Sequence, residues 1–230
     1  MVSPLFSFAE LAGSPAPDMD VLALALAAEF REVDAAGAIA TLDALGGELS
    51  RVAAGMPDRA DELAFACSRL LGIEHGFVGD RDRYDNPDNS MLDIVLARRR
   101  GLPILLSVIY IEVARRAAIP LAGVGLPGHF VVAHFGVEPP LLLDPFARGR
   151  VLALDIAQDL VRPWESHEIA MRMLNNLLAS YQRRGNLSAA IRAAEMRMML
   201  PAQGSQVARV SAPTRHRCQR ALGRHGSWRR

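Results

Sequence analysis

Three features of this 230-residue chain predict an α+β fold. Apolar residues recur at helical spacing over the first half, short β-type runs cluster between residues 121 and 154, and helical spacing returns after residue 166. Helices first and strands afterwards is the order of α+β, not of alternating α/β. With 50% apolar and 22% charged residues the chain can bury a sizeable core, and 6% aromatic content makes that core mainly aliphatic. The length suits one main domain plus an appendage.

Residues 1–17 carry Pro4, Pro15 and Pro17 and read as a flexible leader. Asp18 or Asp20 caps a first helix over 21–33, with Leu22, Leu26 and Phe30 in phase. Ile39, Leu42, Leu45 and Leu49 mark a second helix, interrupted at Gly46-Gly47. Pro57 and Gly72 bracket a third that carries Cys67, read as a buried structural thiol. Residues 77–90 are rich in Asp, Asn, Gly and Pro and read as a long loop, a feature often functional within a compact domain. Asn89 or Ser90 then caps a helix over 91–99. Gly101 ends it, and Pro103 opens the next, 104–118. That helix is apolar nearly all round, which puts it in the middle of the domain.

Runs at 121–125, 130–135, 141–143 and 151–154, separated by glycines and prolines, predict three or four antiparallel strands on this buried helix. From Ser166 the helical period resumes, and the Gly185-Asn186 turn makes an αα-hairpin ending near Pro201. Residues 202–230 hold seven arginines, no acid and almost no aliphatics, so disorder is expected. The abrupt change after Pro201 also has the pattern of a truncated or frame-shifted C-terminus. The expected organisation is a leader (1–17), a core (18–164), a helical hairpin (165–201) and a basic tail (202–230).

Charge and composition exclude several functions. The net charge of +1 hides an acidic body: residues 1–200 carry 19 arginines against 25 acids. A nucleic-acid surface is therefore not expected on the body, and only weakly on the basic tail. All 26 basic residues are arginine, which excludes lysine chemistry. Cys67 and Cys218 are too few for a disulfide framework and point to the cytoplasm. No signal peptide is visible, and the longest apolar run falls short of the ~20 residues that span a bilayer, so no membrane association is expected.

The stretch 84–110, with Asn89-Ser90 before a helix and Gly101-Leu102-Pro103 opening the next, resembles the bacterial SirB-type proteins. So do Pro127-Gly128-His129-Phe130 and Leu143-Asp144-Pro145-Phe146. The resemblance covers roughly residues 20–200. It implies a papain/transglutaminase-like core followed by tetratricopeptide-type helices. In active members of that superfamily a cysteine at the start of the central helix attacks an acyl group, a histidine takes its proton and an aspartate orients the histidine. His129 and Asp144 match the last two roles. The cysteine position, about fifteen residues before the helix exit at Ala118-Ile119-Pro120, falls on Pro103, which has no nucleophile. Ser107, one turn further on, is the nearest hydroxyl, though a serine in an apolar helix usually bonds its own backbone.

Two readings follow from the resemblance. In the first, the chain is a non-enzymatic binding or regulatory protein, a pseudoenzyme. Its old catalytic groove, lined by Ser107, His129 and Asp144 with Asn89, Ser90, Pro103 and Gly128 as binding residues, takes a protein or peptide partner. In the second, it is an acyl hydrolase or transferase using Ser107, His129 and Asp144, which requires the Ser107 hydroxyl within reach of the His129 ring. A third treats the core as a mere support for a helical scaffold, since a single tetratricopeptide unit must dock on something.

No cofactor and no metal are expected. His129 and His134 differ by an odd number and would point to opposite faces of one strand. The acidic residues Asp80, Asp82, Asp85 and Asp88 lack the glycine and closing glutamate of a calcium loop. The cluster Arg98–Arg100 ends a helix, where positive charge offsets terminal carbonyls.

Overall fold

The computed structural model describes residues 7–153 and 161–201. The disorder expected of 202–230 lies outside them. The presumed leader is in part a helix: α1 (Phe8–Gly13) starts at Ser7, whose hydroxyl accepts from the Glu10 amide while the Glu10 carboxylate accepts from the Ser7 amide. Phe8 and Leu11 are buried, so α1 is anchored on the following helix rather than loose. The spacing of prolines had hidden a capping box.

Helix α2 (Met19–Ala28) is buried almost all round and stops well before residue 33. Neither Asp18 nor Asp20 caps it in the usual way. Asp18 makes no side-chain cap bond, and Asp20 accepts from the next amide and from Arg116. Asp34 does cap α3 (Ala35–Ala53), accepting from the Gly37 amide at 2.9 Å. The expected break at Gly46-Gly47 is absent. Gly46 serves close packing, because a Cβ there would lie 2.4 Å from the Arg116 Cβ. Helix α4 (Ala60–Ser68) starts later than Pro57 and continues into a π-turn, Arg69–Glu74, which encloses Gly72.

The expected loop 77–90 is partly ordered. Strand β1 (Val78–Gly79) pairs in parallel with β2 (Arg100–Gly101), and Pro87–Ser90 form a 3-10 turn capped by Asn86. Helix α5 (Leu92–Arg98) therefore begins with Met91 at its cap position, and neither Asn89 nor Ser90 caps it. Both are buried in the turn that precedes it, where the Asn89 amide donates to the Arg83 carbonyl. Pro103 is the first residue of α6 (Pro103–Arg116), as expected, and 11 of its 14 residues are buried. This helix is the centre of the fold, packed against α3 and the sheet.

The sheet is an antiparallel meander, β3 (Leu121–Leu126), β4 (His129–His134), β5 (Leu141–Asp144) and β6 (Arg150–Val151). Pro127-Gly128 turn β3 into β4, and Gly128 supplies the required positive φ of 71°. Phe130, Val132 and Leu143 face the main core on one side. Val131, Ala133 and Leu142 form a second apolar cluster on the other.

Helices α7 (Ser166–Arg183) and α8 (Leu187–Met199) form the expected hairpin. It is fastened to the acidic loop at one residue. The Asp85 carbonyl accepts from the Ser180 hydroxyl at 2.5 Å and from Arg184 at 3.2 Å, while the Asp85 carboxylate pairs with Arg183.

Candidate functional site

Antiparallel pairing brings the start of β4 beside the end of β5, which is how residues fifteen apart in the chain come to meet. His129 opens β4 just after the Gly128 turn, and Asp144 closes β5. Their side chains lie 3.1 Å apart, His129 Nε2 to Asp144 Oδ2. The other carboxylate oxygen accepts from the Phe146 amide at 2.9 Å, capping the 3-10 turn Pro145–Ala147. Asp144 is thus held at both oxygens. The His129 carbonyl is held too, by Arg172 of α7 at 3.2 Å.

A carboxylate on Nε2 assigns the ring proton to that nitrogen and leaves Nδ1 as a lone-pair acceptor. The side chain is 29% exposed, so part of the ring faces solvent. Its edge meets the Phe146 ring at 6.2 Å, and Tyr84 meets the same ring at 6.0 Å. Arg81 stands 5.7 Å above Phe146. The acidic loop thereby forms one wall beside the histidine. Further along that loop Asp80, Asp82, Arg83, Arg98 and Arg100 line a polar cavity of about 460 Å³.

Ser107 does not join this pair. It is fully buried, and its hydroxyl has no hydrogen-bond partner among the described residues, neither the His129 ring nor the helix carbonyl that such serines usually choose. The trio required for serine chemistry is therefore two residues and a detached third. Pro103, buried at the first position of α6, presents no nucleophile. Cys67 does not substitute. Its thiol is buried against the Tyr110 carbonyl, 4.0 Å away, and burial pushes it up to about 12, far from a reactive thiolate.

Of the residues assigned to binding, Gly128 adjoins His129 and shapes its turn. Asn89 and Ser90 are buried instead behind the start of α6, where the Asn89 carbonyl accepts from the Leu102 amide at 3.1 Å. Asn89 thereby holds the residue that precedes α6, while its Oδ1 is buried with no partner among the described residues. Sequence reasoning missed Tyr110, three residues after Ser107. Its hydroxyl is buried between Gly72 and Gly149 with no partner among the described residues, and burial, then Cys67 and Asp144, push its proton affinity upward. The only signal was a polar atom in an otherwise apolar helix.

No group of three metal-binding side chains occurs among the described residues. In register terms His134 lies in phase with Phe130 and Val132, and His129 with Val131 and Ala133, so the two histidines stand on opposite faces. His134 is buried and accepts from the Gly136 amide at 3.0 Å. In the acidic loop, Asp85 and Asp88 pair with Arg183 and Arg98 rather than converge on a cation. No helix among the described residues is long and apolar enough to cross a membrane.

Comparison with known proteins gives this arrangement a context. A family model described as the transglutaminase-like superfamily matches residues 36–187. A UPF0162 protein of Xylella fastidiosa is 45% identical over 104 residues, which cover 45% of this chain and 37% of that protein. A UPF0162 protein of Pseudomonas aeruginosa is 36% identical over 107 residues, 44% of this chain and 39% of its own length. Human F-box only protein 21 is 29% identical over 137 residues, 52% of this chain and 22% of its own. The chain thus spans well under half the length of these curated relatives. No solved structure matches it.

Proposed function

Because the chain belongs to the transglutaminase-like superfamily, we propose that it keeps the groove of that fold without its nucleophile and acts as a non-enzymatic, SirB-type binding or regulatory protein. The observation that carries this reading is the contrast at one site. The His129–Asp144 pair is assembled and leaves Nδ1 open, while the helix that should supply a nucleophile offers Pro103 and a Ser107 hydroxyl that bonds nothing. A base with nothing to deprotonate is a recognition element. Nδ1 accepts a hydrogen bond from a ligand N–H or O–H, and the Phe146, Tyr84 and Arg81 side chains supply apolar and cationic contacts beside it.

A protein or peptide is the occupant this wall suits, because an extended backbone offers N–H donors in series. The α7–α8 hairpin, taken as one tetratricopeptide-like unit, would give a partner a second foothold. The free, buried Cys67 fits a reducing, cytoplasmic setting.

The test has two arms. Under native conditions the folded chain should resist a serine-directed fluorophosphonate, and iodoacetamide should leave the buried Cys67 unmodified. Peptides selected against it should lose about tenfold in affinity in His129→Ala, the scale of one hydrogen bond to a charge-supported group. Fluorophosphonate labelling that disappears in both Ser107→Ala and His129→Ala would establish a working nucleophile and overturn the proposal.

A further inference from the structure

A second cavity lies away from His129, at the seam between the core and the hairpin. It measures about 490 Å³, within the ~300–1,000 Å³ range of small-molecule sites. One wall is apolar, made by Phe30, Pro87, Met91 and the Tyr181 ring. Phe30 and Tyr181 pack with centroids 5.4 Å apart, so this wall is a continuous aromatic surface.

The polar atoms around it are unbalanced. Acceptors there already take hydrogen bonds from the chain: Asn86 Oδ1 from the Asp88 amide at 3.2 Å, Asn186 Oδ1 from the Ala189 amide at 3.1 Å, and Asp88 Oδ2 from Arg98 at 2.8 Å. Donors are left over. Tyr181 is 8% exposed, yet its hydroxyl bonds no described residue. Arg184 uses only Nε, toward the Asp85 carbonyl, which leaves both terminal nitrogens of its guanidinium. A ligand that brings acceptors therefore finds unused donors on Tyr181 and Arg184, set beside one unused acceptor, Asp88 Oδ1.

The charges fix how many. Arg31 pairs with Asp93 and Asp88 with Arg98, whereas Arg184 meets a carbonyl and no carboxylate. One positive charge is uncompensated, which suits a monoanion better than a phosphate dianion. A planar guanidinium fork beside a hydroxyl is matched by a carboxylate. We propose that the seam cavity binds a carboxylate joined to an apolar or aromatic body, with the carboxylate on Arg184 and Tyr181 and the body on the Phe30–Met91 wall. Burial and the nearby Asp88 raise the proton affinity of the Tyr181 hydroxyl, which keeps it a donor.

The test uses the full 230-residue chain, with hydrocinnamate, hexanoate and indole-3-acetate as probes against hydrocinnamide, followed by NMR shift mapping and calorimetry. At least one acid should saturate with a dissociation constant of about 1 mM or tighter, shifting Tyr181 and Asn186, with hydrocinnamate at least about tenfold stronger than its amide. Arg184→Gln should weaken the acid about tenfold and Tyr181→Phe about threefold. Equal binding of acid and amide overturns the proposal. So does the absence of saturable shifts at the seam with all three acids. The acid–amide comparison needs no variant, so a misfolded mutant leaves the test intact. A tripeptide ending in phenylalanine, set against its C-terminal amide, distinguishes a chain terminus from a free acid as the source of the same carboxylate.

Discussion

At the C-terminal end of α6, Arg116 reaches Asp20 and Asp43 at 2.6 Å each and Glu112 at 2.8 Å, and Arg115 adds a further bond to Glu112 at 2.7 Å. Asp20 and Glu112 are each only 3% exposed; Asp20 is bonded at both oxygens, and Glu112 Oε2 takes bonds from both arginines. Two turns earlier on the same helix, the buried Ser107 and Tyr110 hydroxyls have no partner among the described residues. The sheet repeats the contrast. His134, paired in register with Leu121 just past the satisfied end, is buried and backbone-bonded, while His129 at the other end of β4 keeps Nδ1 open. Charges cannot be buried unpaired, so one end of the helix is locked by electrostatics. Neutral hydroxyls cost far less to leave unmatched, and the site end uses that latitude.

The largest expected effect comes from breaking the locked end. Arg116→Ala leaves the buried Asp20 and Glu112 with Arg115 as their remaining cation and should cost about 3 kcal/mol in urea unfolding. A loss below about 1 kcal/mol would mean that the cluster is wetter than its exposure implies, and the contrast would collapse.

Acid should erode the same end more gently. Burial holds the His134 ring below its usual 6.5. The unfolded chain takes the proton first, so the stability from the neutral buried ring is complete above about pH 6.5. It is lost as pH falls below that value and levels off once the folded ring is also protonated. His134→Asn, which can still accept from the Gly136 amide, should show a shallower fall between about pH 7.5 and pH 5 than the parent chain. An unchanged slope would assign the titration elsewhere.

The smallest effect sharpens the comparison from the open end. Ser107→Ala removes a hydroxyl that bonds nothing, so stability should stay level or rise by up to about 1 kcal/mol, with groove binding unaltered. A loss of 2 kcal/mol or so would reveal a partner for that hydroxyl, such as a buried water.

How much of this was legible beforehand depended on the range of the interaction. Pro103 as the first residue of α6, the glycine turn into β4 and the strand–strand–strand order follow from local chemistry, and all stand in the structure. The His129–Asp144 contact was legible from the family resemblance, which implies a histidine oriented by an aspartate, and the antiparallel register then brings the two together. What failed was set by distant partners. Gly46 sits inside a helix because Arg116 crosses it, and Asn89 leaves its expected cap to bond Arg83. The partnerless Tyr110 and the acceptor-poor seam at Tyr181 are properties of assembled surroundings, which no spacing in the chain encodes.

Asp85 precedes Ser180, Arg183 and Arg184 by 95 to 99 positions, and all three close on it. Its neighbour Tyr84 rests on the ring that also touches His129. Lifting α7 would therefore break all three contacts on Asp85 in one event, while the β1–β2 pairing and the Asp88–Arg98 pair hold the rest of the loop. The last helices and the Tyr84–Asp85 end of the wall beside the histidine are thus tied at one residue, and hydrogen exchange should show the two protected together. A partner gripping the hairpin should therefore raise the protection of Tyr84 and Asp85 as well.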